Sequence, residues 1–110
     1  GRGDKAERLL TSAVELANAG CFGIVLECVP TEVAACISQK IDIPTIGIGA
    51  GPQADGQVLV LQDLLGANPD FKPKFLRTYA DSHGVVVDAL NRFHAEVVAE
   101  EFPSSKESYR

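Results

Sequence analysis

Phe22-Gly23-Ile24-Val25-Leu26-Glu27-Cys28-Val29-Pro30 is the stretch that decides the fold. Phe22 to Leu26 is an apolar run with β-branched residues and no polar alternation, so it reads as a strand buried on both faces. Glu27 is the first charge after it. Pro30 and Thr31 then open a helix, with Thr31 as N-cap and Val33, Ala34 and Ile37 as its apolar stripe. Upstream, residues 4–19 read as an amphipathic helix. Asp4 caps it, and Glu7 completes a capping-box pattern. Its apolar face is Ala6, Leu9, Leu10, Ala13, Val14 and Ala17, and Gly20 stops it. Downstream, Pro44 breaks the second helix. Thr45-Ile46-Gly47-Ile48 is a second buried strand, ending in Gly49-Ala50-Gly51-Pro52. A loop through Gly56 leads to a third strand over 57–61, and a turn of helix over 63–65 ends at Gly66.

The character changes at residue 67. Asn68-Pro69-Asp70 and Pro73 mark an irregular connection. A short helix is expected over 75–82 and a longer one over 85–101, where Val86, Ala89, Leu90, Phe93 and Val97 recur at helical spacing. The tail from Pro103 is polar and expected to fray. The organisation is thus β/α units over 1–66, followed by helices and tail over 67–110. Strands alternating with helices imply an α/β fold with a parallel sheet and right-handed crossovers. Three strands are few for that architecture. Helices can cover one face of the sheet, and the other must find a partner.

Composition narrows the function. The 110 residues carry a net charge of −5, with 45% hydrophobic and 23% charged residues, which describes an ordinary soluble globular domain. An acidic chain without a basic cluster is a poor nucleic-acid binder. No apolar run approaches the roughly 18 residues needed to span a membrane. The opening GRGDKAERLL does not read as a signal or transit peptide. A complete α/β barrel, typically about 250 residues, does not fit the length. Cys21, Cys28 and Cys36 are odd in number and lack C-x-x-C spacing. They read as reduced, mostly buried thiols in a cytoplasmic setting. Cys28 has no nearby His to serve as base for a nucleophile.

Glu27 is the most informative polar residue. It lies at the carboxyl end of a strand, where α/β proteins place ligands. Beside Leu26, Cys28 and Val29 it would be partly desolvated, which raises a carboxyl pKa toward a value useful for proton abstraction. A carboxylate paired with Lys or Arg, or one turned to solvent, is the structural alternative, and position alone leaves both open. Gly47-Ile48-Gly49-Ala50-Gly51 could expose N–H groups to an anion or let a helix pack on the strand. It is not the dinucleotide fingerprint, because the spacing is G-x-G-x-G and Pro52 follows. Asp55 and Asp63 read as turn or cap residues. His83 and His94 lack partners at metal spacing.

The segments together resemble the ketopantoate hydroxymethyltransferase family. The resemblance rests on Gly1-Arg2-Gly3-Asp4, Leu26-Glu27-Cys28-Val29-Pro30, Ile43 to Gly51, and Asp55-Gly56-Gln57-Val58-Leu59-Val60, with Asp63 and Gly66 following. Pro73-Lys74-Phe75 and Phe102-Pro103 fit as well. The resemblance implies the C-terminal part, about three strands, of a (β/α)8 barrel of the phosphoenolpyruvate/isocitrate-lyase type. It implies transfer of a hydroxymethyl group from methylenetetrahydrofolate to α-ketoisovalerate, giving ketopantoate for pantothenate synthesis, with Mg2+ polarising the keto acid. Glu27 would be the general base, and Ile48 would line the substrate site. The family's metal ligands lie on earlier strands, upstream of Gly1, so no metal ligand is assigned here. The chain alone would then be inactive. The family also implies a homo-oligomer, a decamer, with the C-terminal helices at subunit contacts. Two further readings are a non-catalytic assembly module and another 2-oxo-acid enzyme of the same superfamily. The Leu26-Glu27-Cys28-Val29-Pro30 string speaks against the latter.

Overall fold

The computed structural model describes residues 2–110. Gly1, the first residue of the resembling strings, lies outside the described residues. Along the chain run α1 (Arg2–Asn18), β1 (Ile24–Glu27), α2 (Thr31–Lys40), β2 (Thr45–Ile48), β3 (Gly56–Gln57), α3 (Leu61–Leu64), α4 (Ser82–Val98) and a 3₁₀ turn at Ser105–Glu107. The three strands form one parallel sheet in the order β1-β2-β3. The chain divides into two compact units. One is Gly1–Val60 with Pro73–Leu76, and the other is Leu61–Lys72 with Arg77–Arg110.

In the first unit, α1 begins at Arg2, so Asp4 sits inside its first turn and is not the N-cap. Gly20, at φ 104, ends it as expected, since this conformation disfavours residues with a Cβ. The core is Ala13 of α1, Leu26 and Val29, Ala34 and Ile37 of α2, Ile41 and Ala50. Leu10, Val14 and Ala17 pack against it, so the apolar face read for α1 is the buried one, apart from the exposed Leu9. The N-cap of α2 is Pro30, whose extended ψ of 141° starts the helix, and Thr31 is its first residue.

The expectation of a strand buried on both faces is not met. Leu26 faces the helices, but Val25 is 62% exposed on the opposite face, and Phe22, 94% exposed, precedes the strand. The reason is cover. In a parallel sheet both faces need a layer, and α1 and α2 supply only one. The third strand is also shorter than expected. It ends at Gln57, with a last bond from Val58 N to Gly47 O at 3.0 Å. β2 ends at Ile48 and Gly49 follows at φ 68, so residues 59 and 60 have no neighbouring strand to pair with. Leu61 already starts α3.

The helix expected over 75–82 does not form; Phe75 and Leu76 of that stretch belong to the first unit and the rest to the second. Leu76 N donates to Pro73 O in a turn, and the chain then runs extended, with Tyr79 N bonded to Leu64 O at 2.7 Å. Those extended backbone bonds replace the intrahelical ones. The long helix starts earlier than expected because Asp81 caps it, its carboxylate accepting from Gly84 N at 3.0 Å. The helix ends at Val98. Phe93 and Phe102 stack edge to face with centroids 5.4 Å apart. The tail is not frayed at its start. Ser104 and Glu107 form a capping box around the 3₁₀ turn.

Candidate active site at the strand ends

The carboxyl ends of β1 and β2 bring two of the singled-out residues together. In the parallel register Glu27 stands opposite Ile48, and Val25 opposite Ile46. Side chains alternate along a strand, so all four lie on the sheet face away from α1 and α2. Cys28 N donates to Ile48 O at 2.9 Å, which carries the ladder one residue past Glu27. A carboxylate thus stands beside aliphatic neighbours at the strand ends, the position from which α/β proteins work.

The carboxylate of Glu27 is exposed, so the partial desolvation expected of it is absent within this chain. Among the described residues it has no hydrogen-bond or ion-pair partner, so within this chain it matches the solvent-turned carboxylate of the structural alternative and not the Lys- or Arg-paired one. The residue after it is strained. Cys28 takes φ 53, in the left-handed region that costs a residue with a Cβ roughly 1–2 kcal/mol. Such departures gather at functional sites. The thiols are also less buried than expected. Cys28 is exposed, Cys21 and Cys36 are half-buried, and all three are free.

No helix fills the space beside Gly47 and Gly49, where helix packing was one of the two readings. A Cβ on Gly47 would lie 3.3 Å from Ala54 and 3.5 Å from Ala50, so the connecting loop itself packs there, not a helix. A Cβ on Gly49 would lie 3.1 Å from the Phe75 ring and 3.4 Å from Cys28 Sγ. Gly51, at φ 79, would place a Cβ 2.6 Å from the Thr31 side chain. The glycines therefore close a tight loop against Phe75 and the first residue of α2.

Asp55 does more than cap a turn. Its Oδ2 accepts from Thr45 N at 2.9 Å and from the Thr45 hydroxyl at 3.2 Å. No signal in the sequence ties Asp55 to Thr45, because the contact follows from the path of the loop. Asp63 lies within α3, and His83 and His94 are exposed on α4. Among the described residues no group of three or more His, Cys, Asp and Glu side chains could hold a metal ion. A separate apolar cavity of about 500 Å³ lies between the first turns of α1 and α2, lined by Ala6, Leu9, Pro30 and Val33 and reaching Cys28. Glu27 and Ile48 do not line it. Among the described residues no helix is long and apolar enough to cross a membrane.

Comparison with known proteins identifies the chain's relatives. A family model described as ketopantoate hydroxymethyltransferase matches residues 1–105. A 3-methyl-2-oxobutanoate hydroxymethyltransferase of Bdellovibrio bacteriovorus is 56% identical over 110 residues, covering 99% of this chain and 42% of that protein. A protein of the same name from Francisella tularensis is 52% identical over 106 residues, covering 96% of this chain and 40% of its own length. Another from Chlorobaculum parvum is 50% identical over 107 residues, covering 97% and 39%. The chain therefore spans about two fifths of the curated relatives it matches. With the family model matching nearly all of it, the chain belongs to the ketopantoate hydroxymethyltransferase family.

Proposed function

We propose that the chain supplies the last three strands of a (β/α)8 barrel that transfers a hydroxymethyl group to α-ketoisovalerate, with Glu27 as general base. The observation that carries this reading is the pairing of Glu27 with Ile48 on one sheet face at the strand ends. The Glu27 carboxylate takes the proton from the carbon next to the ketone. The electron pair of that C–H bond becomes the enolate. Water cleaves the two C–N bonds of the methylene group of methylenetetrahydrofolate to give formaldehyde and tetrahydrofolate. The enolate carbon adds to the formaldehyde carbon, while the formaldehyde oxygen takes the proton held by Glu27 and becomes the product hydroxyl. Ile48 packs against the branched aliphatic end of the keto acid and keeps it beside Glu27. General-base action of this kind is worth about 10²–10⁴-fold in rate.

The family resemblance brings Mg2+ with it, to polarise the keto acid. The described residues do not fit a magnesium site, because no carboxylate cluster stands near Glu27. No step is therefore derived through the metal, and its ligands are assigned to the part of the protein outside this chain. The desolvation that would make Glu27 an effective base is assigned to the same part, which would cover the exposed face of Val25, Glu27 and Ile48. On this reading the isolated chain has no transferase activity, and the assembled enzyme works in the cytoplasm.

The test is proton exchange at the keto acid, followed by NMR in deuterated buffer with the full-length protein that contains this chain. Glu27→Gln should slow exchange by at least about 100-fold while leaving keto-acid binding in place. Exchange at the unaltered rate would remove Glu27 from the role of base. Full turnover by the isolated chain would overturn its proposed incompleteness.

A second reading is an assembly role for α4. Its apolar positions Val86, Leu90, Phe93 and Val97 are all exposed, as they would be on a helix that meets another subunit. This is compatible with the catalytic reading and is tested by solution mass.

A further inference from the structure

We propose that Asp55 is a positioning residue, which sets the level at which β3 joins the sheet face carrying Glu27 and Ile48; only the description of that face as the site rests on the proposed function. Strands β2 and β3 are parallel, so the chain must return from the carboxyl end of β2 to its amino end. It does so through residues 49–55 without a helix, whereas such crossovers usually take a dozen or more residues. The arriving strand has only two paired residues, Gly56 opposite Ile46 and Gln57 opposite Gly47. So short a ladder does little to hold its own register, and a slip of one residue turns every side chain to the other face.

Asp55 supplies the missing constraint. Thr45, 0% exposed, donates both its backbone N–H, at 2.9 Å, and its hydroxyl, at 3.2 Å, to Asp55 Oδ2. In return Asp55 N donates to Thr45 Oγ1 at 3.1 Å. Ser38 Oγ of α2 lies 2.7 Å from Thr45 Oγ1 and 2.9 Å from Ala34 O. Each hydroxyl has one proton. With the Thr45 proton on Asp55, Ser38 donates to Thr45 or to Ala34 O. The clamp therefore links α2, the start of β2 and the end of the crossover. A buried threonine left without that acceptor would have an unsatisfied N–H, which is costly. Both Thr45 bonds use the same carboxylate oxygen. The clamp thus needs one acceptor oxygen at that place, and an asparagine side chain can provide it.

Amide hydrogen exchange of the chain, read residue by residue by NMR, tests this independently of any catalytic assay. In Asp55→Leu, exchange at Thr45 and Val58 should rise by about tenfold or more, with Cys28 N–H, bonded to Ile48 O, unchanged. Asp55→Asn should restore both amides to within about threefold of the unaltered chain. The proposal is overturned if Asp55→Leu leaves Val58 protected. It is equally overturned if exchange rises uniformly, Cys28 included, or if Asn opens the strand as far as Leu does. Keto-acid proton exchange at the unaltered rate in Glu27→Gln, with an intact Asp55 clamp, would count against the role of Glu27 alone.

Discussion

Glu27 and Ile48 are register partners on adjacent parallel strands, and the bond from Cys28 N to Ile48 O, 2.9 Å long, locks their level just beyond the pair. The base and the apolar wall proposed for the keto acid are therefore held by backbone geometry and not by a side-chain contact between them.

That arrangement separates their roles in mutation. In the full-length protein Ile48→Ala should weaken keto-acid binding by about 10-fold, through loss of roughly 1–3 kcal/mol of apolar contact, with little change in the maximal rate of proton exchange. Glu27→Gln should do the reverse. Isotope exchange measured across keto-acid concentrations distinguishes the two. A drop in maximal rate alone for Ile48→Ala would remove it from the substrate wall.

The left-handed backbone at Cys28 makes a stability prediction. Cys28→Gly relieves the strain but loosens the unfolded chain, so the change should stay under about 1 kcal/mol. Cys28→Val places a β-branched residue at φ 53 and should cost about 1–3 kcal/mol. Urea midpoints of the two variants check this ordering.

Gly51 is more constrained, by both φ 79 and the Thr31 side chain 2.6 Å from any added Cβ. Gly51→Ala should destabilise by about 1–3 kcal/mol. Adding Thr31→Ala should recover the steric part and leave about 1 kcal/mol of backbone strain. A double-mutant cycle with no coupling between the two sites would show that the contact carries no energy.

The tail turn should respond to acid. The Ser104 hydroxyl, and then its backbone N–H, donate to the Glu107 carboxylate and hold it below the ordinary 4.5. A lowered carboxyl pKa adds stability that is fully present above the unfolded value and is lost as pH falls through the folded one. The Ser104 amide resonance should therefore titrate with a midpoint under 4.5 and be flat at neutral pH. A midpoint at or above that value would mean the capping box does not persist in solution.

The exposed face of α4 predicts self-association. Light scattering of the chain should report a mass above that of one copy, and Leu90→Glu with Phe93→Glu, at positions 62% and 53% exposed, should lower it. A monomer at all concentrations would argue against the assembly reading.

The local sequence determined α1, α2, the second strand and the place of Glu27. Those features follow from short-range rules, namely the apolar spacing of α1 and α2, the β-branched runs, and the stops at Gly20 and Pro44. Family membership was legible in the same way, because the Leu26-Glu27-Cys28-Val29-Pro30 and Ile43–Gly51 strings are contiguous. The tertiary structure decided what spacing cannot carry. β3 stops at Gln57 because its partner β2 ends at Ile48, and the stretch over 75–82 is extended because its backbone bonds go to Leu64 and neighbouring loops. Thr45 and Asp55 meet only through the path of the crossover. The strand expected to be buried on both faces has one bare face, because burial depends on which layers are present, and residues 22–26 encode only the preference for being covered.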